Sequence, residues 1–391
     1  MSICRISPAH LGDRYRSLLH AEGSAVLLLN LSKVTEQYRA LCNALPGVEP
    51  YYAIKSLPHP AVVEHLLSLG CGLDIATAGE IEMIRDLPVD TNKTIHTHPI
   101  KRPQDIRAAL NFGVTTFVVD NIWELEKFIP FAGRVELLLR ISYRNPEARV
   151  DLSRKFGCTV EEAPFLLQRA EQLGIRVKGL SFHVGSQSKN GEIHAAAIRA
   201  ASRIMQEHNA EFDENVETID IGGGFPVNYG DNTLGIEAFC APIREALAEL
   251  PAHFRVLAEP GRFLSAPAGT AITQVMGKAR RGDTTWYYLN DGVYGSFSGQ
   301  IYDHTHYPLE VFSDLEERET AALTGPTCDS IDMIAESIVI PPLQIGDIVV
   351  GHMMGAYTMA SASDFNLFDR AHVVVMDDDQ WAIDTVTSIT A

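Results

Sequence analysis

An α/β fold, a (β/α)8 barrel followed by a mainly β second domain, is what this sequence predicts, and three observations carry the reading. Eight short apolar runs alternate with amphipathic stretches from Leu31 onward, and polar residues collect where those runs end. Beyond Leu264 the rhythm stops, and strand-like segments separated by glycine- and proline-bearing loops take over. Runs buried on both faces and spaced by helices are the mark of a parallel sheet, and eight of them fit a closed barrel better than an open doubly wound sheet.

In order, the runs are residues 50–55, 72–76, 94–98, 116–120, 135–141, 177–184, 218–222 and 254–259. Residues 31–45 and 60–69 are amphipathic and predict helices. Thr77 and Glu80 form a capping box that opens the helix after the second run. The earlier run 26–30 would be a ninth strand, one too many for the barrel, and is expected to join the second domain instead. Past the barrel, residues 275–280, 285–290, 345–352 and 371–376 predict strands. The expected division is therefore a barrel over 31–263 and a β domain built from 1–30 and 264–391.

Composition narrows the function. The chain has 391 residues, 46% of them hydrophobic, enough to bury a large core and to make two domains. A net charge of −18 counts against nucleic acid and anionic membranes as partners and favours cationic small molecules. Six widely spaced cysteines without a CxxC suit a reducing cytoplasm, and no metal site is implied. The first residues lack the apolar core of a signal peptide, and no apolar run is long enough to span a bilayer.

The chemistry gathers at the run ends. Lys55 closes the first run, and a lysine at the mouth of a buried strand is costly to desolvate, which makes its amine a better nucleophile. Alone it would be an ordinary solvated lysine. It is not alone: Asp74, His98, Arg140, His183 and Ser186, Gly222 to Gly224, and Glu259 with Arg262 fall within or just after later runs, where barrel enzymes build their sites. The glycine triplet offers backbone N–H groups to an anion such as a phosphate, although it is neither GxGxxG nor a Walker loop. Glu259 and Arg262 alone would read as a simple salt bridge; beside a phosphate, Arg262 holds the anion and leaves Glu259 to face a protonated heterocycle nitrogen.

These motifs, in this order, resemble the alanine-racemase-fold, pyridoxal-phosphate-dependent decarboxylases: YAIKS (52–56), LDIATAGEI (73–81), LSRKFG (152–157), SFHVGS (181–186), DIGGGFP (220–226), AEPGRF (258–263), NDGVYGSF (290–297), YDH (302–304), GPTCDSID (325–332) and GAYTMASASDFNLF (355–368). Within that group the later motifs are most similar to ornithine and lysine decarboxylases. The resemblance implies pyridoxal 5'-phosphate held as a Schiff base on Lys55. It implies His183 stacked on the pyridine ring and Glu259 at the pyridine nitrogen, making the ring an electron sink. Ser186, Gly223, Gly224, Gly261, Arg262 and Tyr357 would bind the cofactor, its phosphate above all, with Asp74 and Arg140 in support.

It further implies Cys328 as proton donor and Asp329 as the acid that meets a distal substrate amine, with Tyr294, Tyr302 and Asp303 on the same pocket. Cys328 and Asp329 would come from a partner subunit, so the resemblance implies a homodimer with shared active sites acting on a small amino acid. Decarboxylation of ornithine or lysine to a diamine and carbon dioxide is the expected reaction. The alternatives are decarboxylation of diaminopimelate or a carboxylated siderophore precursor, an amino-acid racemase, and a non-catalytic relative comparable to antizyme inhibitor. Glu259 in place of the racemases' arginine, Asp329 in place of glutamate, and retention of Lys55 and Cys328 weigh against them. The sequence departs from its relatives at His98, often asparagine, at Gln187, often glycine, and over residues 307–323.

Overall fold

The computed structural model describes residues 4–143, 154–212, 215–231 and 233–377. Eight parallel strands close into a barrel: Val48–Ala53, Gly72–Ile75, Thr94–His96, Thr116–Val119, Glu136–Ile141, Arg176–Phe182, Thr218–Asp220 and Arg255–Ala258. The last pairs with the first, Val256 opposite Val48 and Leu257 opposite Glu49. The closure carries a side-chain clamp: Arg255 donates from Nε and Nη2 to the two Glu49 carboxylate oxygens, both at 2.7 Å, and from Nη2 to Tyr51 Oη at 2.8 Å. Both ends of this pair are about two-fifths exposed, so it contributes no more than about 1 kcal/mol and sets register more than stability. Tyr51, Ile95 and Leu257 fill the space inside.

All eight predicted barrel strands are present, and most of them end one or two residues earlier than their apolar patterns suggest. The reason is chemical. Ala53 ends the first strand, and Ile54–Ser56 forms one 3-10 turn that carries Lys55 out of the ladder. His98, Asp120 and Glu259 likewise lie beyond Thr94–His96, Thr116–Val119 and Arg255–Ala258. Apolar pattern marks burial, and these segments stay buried after leaving the sheet in order to aim polar groups. Leu31–Ala44 and Pro60–Ser68 are helices, the second opening on Pro60, where a missing N–H costs nothing. Thr77 Oγ1 accepts from Glu80 N–H at 3.2 Å, and the Glu80 carboxylate accepts from Ala76 N–H, one residue before the cap.

The chain divides into two compact units, Thr35–Val227 with Thr233–Phe263, and Met1–Val34 with Asn228–Asn232 and Leu264–Ala391. Among the described residues, the second unit forms a nine-stranded mixed sheet. Its path runs Cys4–Ser7, Leu309–Phe312, Ile348–Gly351, Gly269–Arg281, Thr284–Leu289, Glu319–Thr324 and Met333–Ile340. Val26–Asn30 pairs antiparallel with Gly269–Arg281 and parallel with His372–Met376, so the surplus ninth run belongs to this sheet. Tyr15 and Leu19 of helix Asp13–Glu22 pack on Val26, Leu28, Ile272, Phe312, Ile348 and Val350. Four strands escaped the sequence reading: Cys4–Ser7, Leu309–Phe312, Glu319–Thr324 and Met333–Ile340. Two have only four residues, and Met333–Ile340 interrupts its apolar face with exposed Glu336 and Ser337, so none shows a clean period of two.

Candidate active site

The barrel strands end in a group of charged side chains whose charges are managed by one another. Lys55 Nζ donates to Asp74 Oδ2 at 2.8 Å; Asp74 is fully buried and the lysine side chain is 42% exposed. Thr97 Oγ1 donates to the other oxygen, Asp74 Oδ1, which fixes the carboxylate plane toward the lysine. Lys55 is thus paired with a buried carboxylate, and it is placed by a turn and not by the strand itself.

Asp220, at the end of Thr218–Asp220, and Glu259, just past Arg255–Ala258, are both buried. Burial, then the neighbouring Asp220 and Asp74 charges, push Glu259 well above the usual carboxylate range. Asp220 is raised for the same first reason. The pair therefore holds a proton more readily than carboxyls in water. Arg140, at the penultimate position of Glu136–Ile141, is half-buried; among the described residues its buried Nη2 has no hydrogen-bond partner, and its guanidinium lies 5.5 Å from the centre of the Phe156 ring. His183 Nδ1 accepts from Gly185 N–H at 3.0 Å. Burial and the nearby Arg140 and Lys55 charges hold this imidazole well below its ordinary pKa, so it is neutral with its proton on Nε2.

The glycine turn is built against this group. Gly222 and Gly224 have φ of +65° and +95°. A Cβ on Gly223 would meet Glu259 O at 2.6 Å, and one on Gly224 would meet Gly185 O at 2.3 Å. Asp220 Oδ1 accepts from Gly222 N–H at 2.9 Å, and Glu259 N–H donates to Gly222 O at 2.7 Å. Arg262 Nε donates to Ser186 Oγ at 3.2 Å, so Ser186, the turn and Arg262 gather as the sequence implied. Gly261 lies against the Lys55 turn: a Cβ there would sit 3.1 Å from Ser56 Cβ. Gln187, where relatives often carry glycine, adopts φ +54°. It offsets that strain by donating to Val227 O at 2.9 Å and accepting from Val227 N–H at 2.8 Å. His98 Nδ1 accepts from Ile100 N–H at 3.0 Å, and its ring sits edge-on to Phe156.

Three residues that sequence reasoning did not assign complete this site. Thr97 orients Asp74, the Asp220 charge raises Glu259, and buried His194 bonds Gly223 O through Nε2 at 3.0 Å while stacking on Phe225. Burial lowers His194 to about 4, so the neutral ring donates that bond. Asp220 stands next to the glycine triplet and was findable; nothing in the local sequence around Thr97 or His194 marks them. The first two residues of the LSRKFG motif lie outside the described residues.

The β-rich unit holds the other predicted residues. Tyr294 Oη donates to Asp329 Oδ2 at 2.5 Å, which lowers the Asp329 carboxyl and pushes the phenol up to about 12. Tyr294 also stacks on Phe365, ring centres 4.4 Å apart. Neighbouring Cys328 is exposed and bonded to Asn366. Tyr302 is exposed, ending helix Gly299–Tyr302, whereas Asp303 is buried, with Thr305 Oγ1 3.5 Å from its Oδ2. Tyr357 adopts φ +55°, and its carbonyl accepts from Ser361 Oγ at 2.8 Å. Cys328, Asp329 and Tyr294 are brought together, and Asp303 is buried.

The barrel-end residues fit pyridoxal phosphate. A lysine amine suits the aldehyde, a proton-retaining carboxylate pair suits the ring nitrogen, and a side-chain-free glycine cradle beside Ser186 and Arg262 suits the phosphate. Comparison with known proteins agrees. Residues 31–266 match the family described as pyridoxal-dependent decarboxylase, pyridoxal binding domain. The chain is 36% identical to the lysine/ornithine decarboxylase of Selenomonas ruminantium over 353 residues, 90% of this chain and 89% of that protein. The crystal structure of lysine/ornithine decarboxylase from Vibrio vulnificus, complexed with putrescine, superposes with a TM-score of 0.89 at 47% identity, covering 95% of this chain and 99% of that one. The arginine decarboxylase of Paramecium bursaria Chlorella virus superposes with a TM-score of 0.88 at 29% identity, covering 93% and 100%.

The chain therefore belongs to the pyridoxal-phosphate-dependent decarboxylases of this family, and pyridoxal phosphate is its cofactor. Within the family, the activity these relatives support for it is decarboxylation of a basic amino acid.

Proposed function

We propose that the protein removes the α-carboxylate of ornithine or lysine, releasing a diamine and carbon dioxide, and that it works as a homodimer whose active sites are shared between subunits. The observation that carries the substrate reading is the Tyr294–Asp329 pair beside Cys328: an ionised carboxylate, its charge fixed by a phenol, suited to a distal ammonium. The 47% identity to an enzyme crystallised with putrescine, which is ornithine without its carboxylate, supports the same choice.

Bound pyridoxal phosphate supplies the electron sink that makes loss of carbon dioxide feasible. The chain's residues do the rest. Lys55 would hold the cofactor's aldehyde, with Asp74 as the carboxylate beside its amine. Glu259 and Asp220 would face the ring nitrogen and favour a proton there. Ser186, Gly223, Gly224 and Arg262, with Tyr357, would hold the phosphate, and neutral His183 would pack on the ring without adding charge. Arg140 would support the cofactor. Cys328 returns a proton to the carbon that lost its carboxylate. Asp329, with Tyr302 and Asp303, selects the distal amine.

A carbon-dioxide-release screen over ornithine, lysine, arginine, diaminobutyrate and meso-diaminopimelate tests the reading. Ornithine or lysine should turn over fastest, and preference for arginine or diaminopimelate would replace it. One methylene is worth only about 1–3 kcal/mol of discrimination, so activity on both diamino acids is expected.

A further inference from the structure

The segment facing Cys328 is a single turn, Phe365–Leu367, in which Asn366 and Leu367 both have φ of +56°. Left-handed backbone is uncommon outside glycine, and asparagine tolerates it better than most residues. From that position Asn366 Oδ1 accepts two hydrogen bonds from one residue, Cys328 N–H and Cys328 Sγ–H, each at 3.2 Å. The backbone N–H, which can only donate, dictates that the amide presents its oxygen here, and that oxygen's two lone pairs take both bonds. On one side of the turn, Phe365 stacks on Tyr294, whose phenol bonds Asp329. One turn thus grips both Cys328 and its neighbour Asp329.

We propose that Asn366 is a positioning residue for Cys328: its amide oxygen fixes the rotamer of the thiol and holds the proton on sulfur until it is needed. This rests on the reading of Cys328 as proton donor. In that step the proton passes from sulfur to the substrate carbon, and the S–H electron pair stays on sulfur as thiolate. The amide oxygen loses its bond to the thiol and then faces a negative sulfur, which favours reloading the proton from solvent. An acceptor oxygen suits a donor that must start every cycle protonated; a cation in its place would suit a nucleophile.

The test is the site-resolved rate of Cys328 alkylation by iodoacetamide in the purified full-length enzyme, at one fixed neutral pH. The thiolate is the reactive form. Asn366→Gly removes the acceptor while accepting positive φ without strain, and should raise the rate about fivefold, the equivalent of one net hydrogen bond. Asn366→Asp keeps the shape and the acceptor but places a negative charge beside the sulfur, and should lower the rate below that of the unaltered enzyme. A purely structural role loosens the turn in both variants, so rates rising together would overturn the proposal, as would rates equal in all three proteins. Alkylation does not require turnover, so an unaltered enzyme that releases no carbon dioxide from any amino acid refutes the functional reading while leaving this measurement to judge Asn366.

Discussion

The barrel ends and the loops around Cys328 handle charge in opposite ways. At the barrel, Asp74, Asp220 and Glu259 are almost wholly buried; Asp74 is paired with Lys55, and burial raises Asp220 and Glu259. Around Cys328 the thiol is exposed, and order comes from loop devices: a left-handed asparagine, a stacked ring pair and a phenol-to-carboxylate bond. Desolvation tunes the first group, because removing water is what moves pKa values far. Local hydrogen bonds tune the second, where water still competes and effects are smaller. The lesson is that burial sets the charges at the barrel ends, while local hydrogen bonds set them around Cys328.

Four experiments sharpen or break this contrast. Lys55→Ala should have the largest effect, abolishing the visible absorbance of the bound cofactor and cutting turnover by orders of magnitude. A cofactor band that persists in the variant would mean another lysine carries it.

The second acts on stability at the barrel. His194 is lowered to about 4 by burial, so the folded ring is neutral while an unfolded histidine takes up a proton near pH 6.5. Its contribution is present above pH 6.5 and is lost as pH falls toward 4, amounting to about 3 kcal/mol across that window. His194→Gln, which can keep a bond to Gly223 O, should show a shallower loss of stability in urea titrations run from about pH 7 to about pH 4. An unchanged slope would remove His194 from the acid response.

Third, Asp329→Asn should lower kcat/KM on ornithine or lysine by about tenfold to a hundredfold, the worth of a charged hydrogen bond, with cofactor absorbance unchanged. Equal efficiency of the unaltered enzyme on norleucine would sink the distal-amine assignment. The smallest signal is partial: mixing inactive Lys55→Ala with inactive Cys328→Ala should restore some activity through hybrid dimers. No recovery after proven subunit exchange points to sites made within one chain.

Much of the barrel was legible because doubly buried strands read as unbroken apolar runs. Lys55, His183, the glycine turn and Glu259 stood out because they fall at or near the ends of such runs. Lys55's turn was not, since Ile54 is as apolar as the strand before it. Thr97, His194 and Asn366 act through bonds to residues 23, 29 and 38 positions away, and local sequence holds no trace of such pairings. Gln187 is the instructive case: a departure from glycine in the sequence proved to be a left-handed residue compensated by two bonds to Val227.

Strand Val26–Asn30 is held on one side by Gly269–Arg281 and on the other by His372–Met376. On the ribosome, the segment 26–30 emerges early, yet its second neighbour is made roughly 340 residues later, near the end of the described chain. Synthesis at about 5–20 residues per second leaves that edge unpaired for tens of seconds, long enough for the barrel's nearer strand pairs to form. Vectorial folding should therefore proceed barrel first and sheet last, with the β-rich unit completed only when His372–Met376 zips onto Val26–Asn30. A chain cut before His372 would keep every barrel residue of the cofactor site and still expose a sticky apolar edge, making its fate aggregation rather than a clean loss of catalysis.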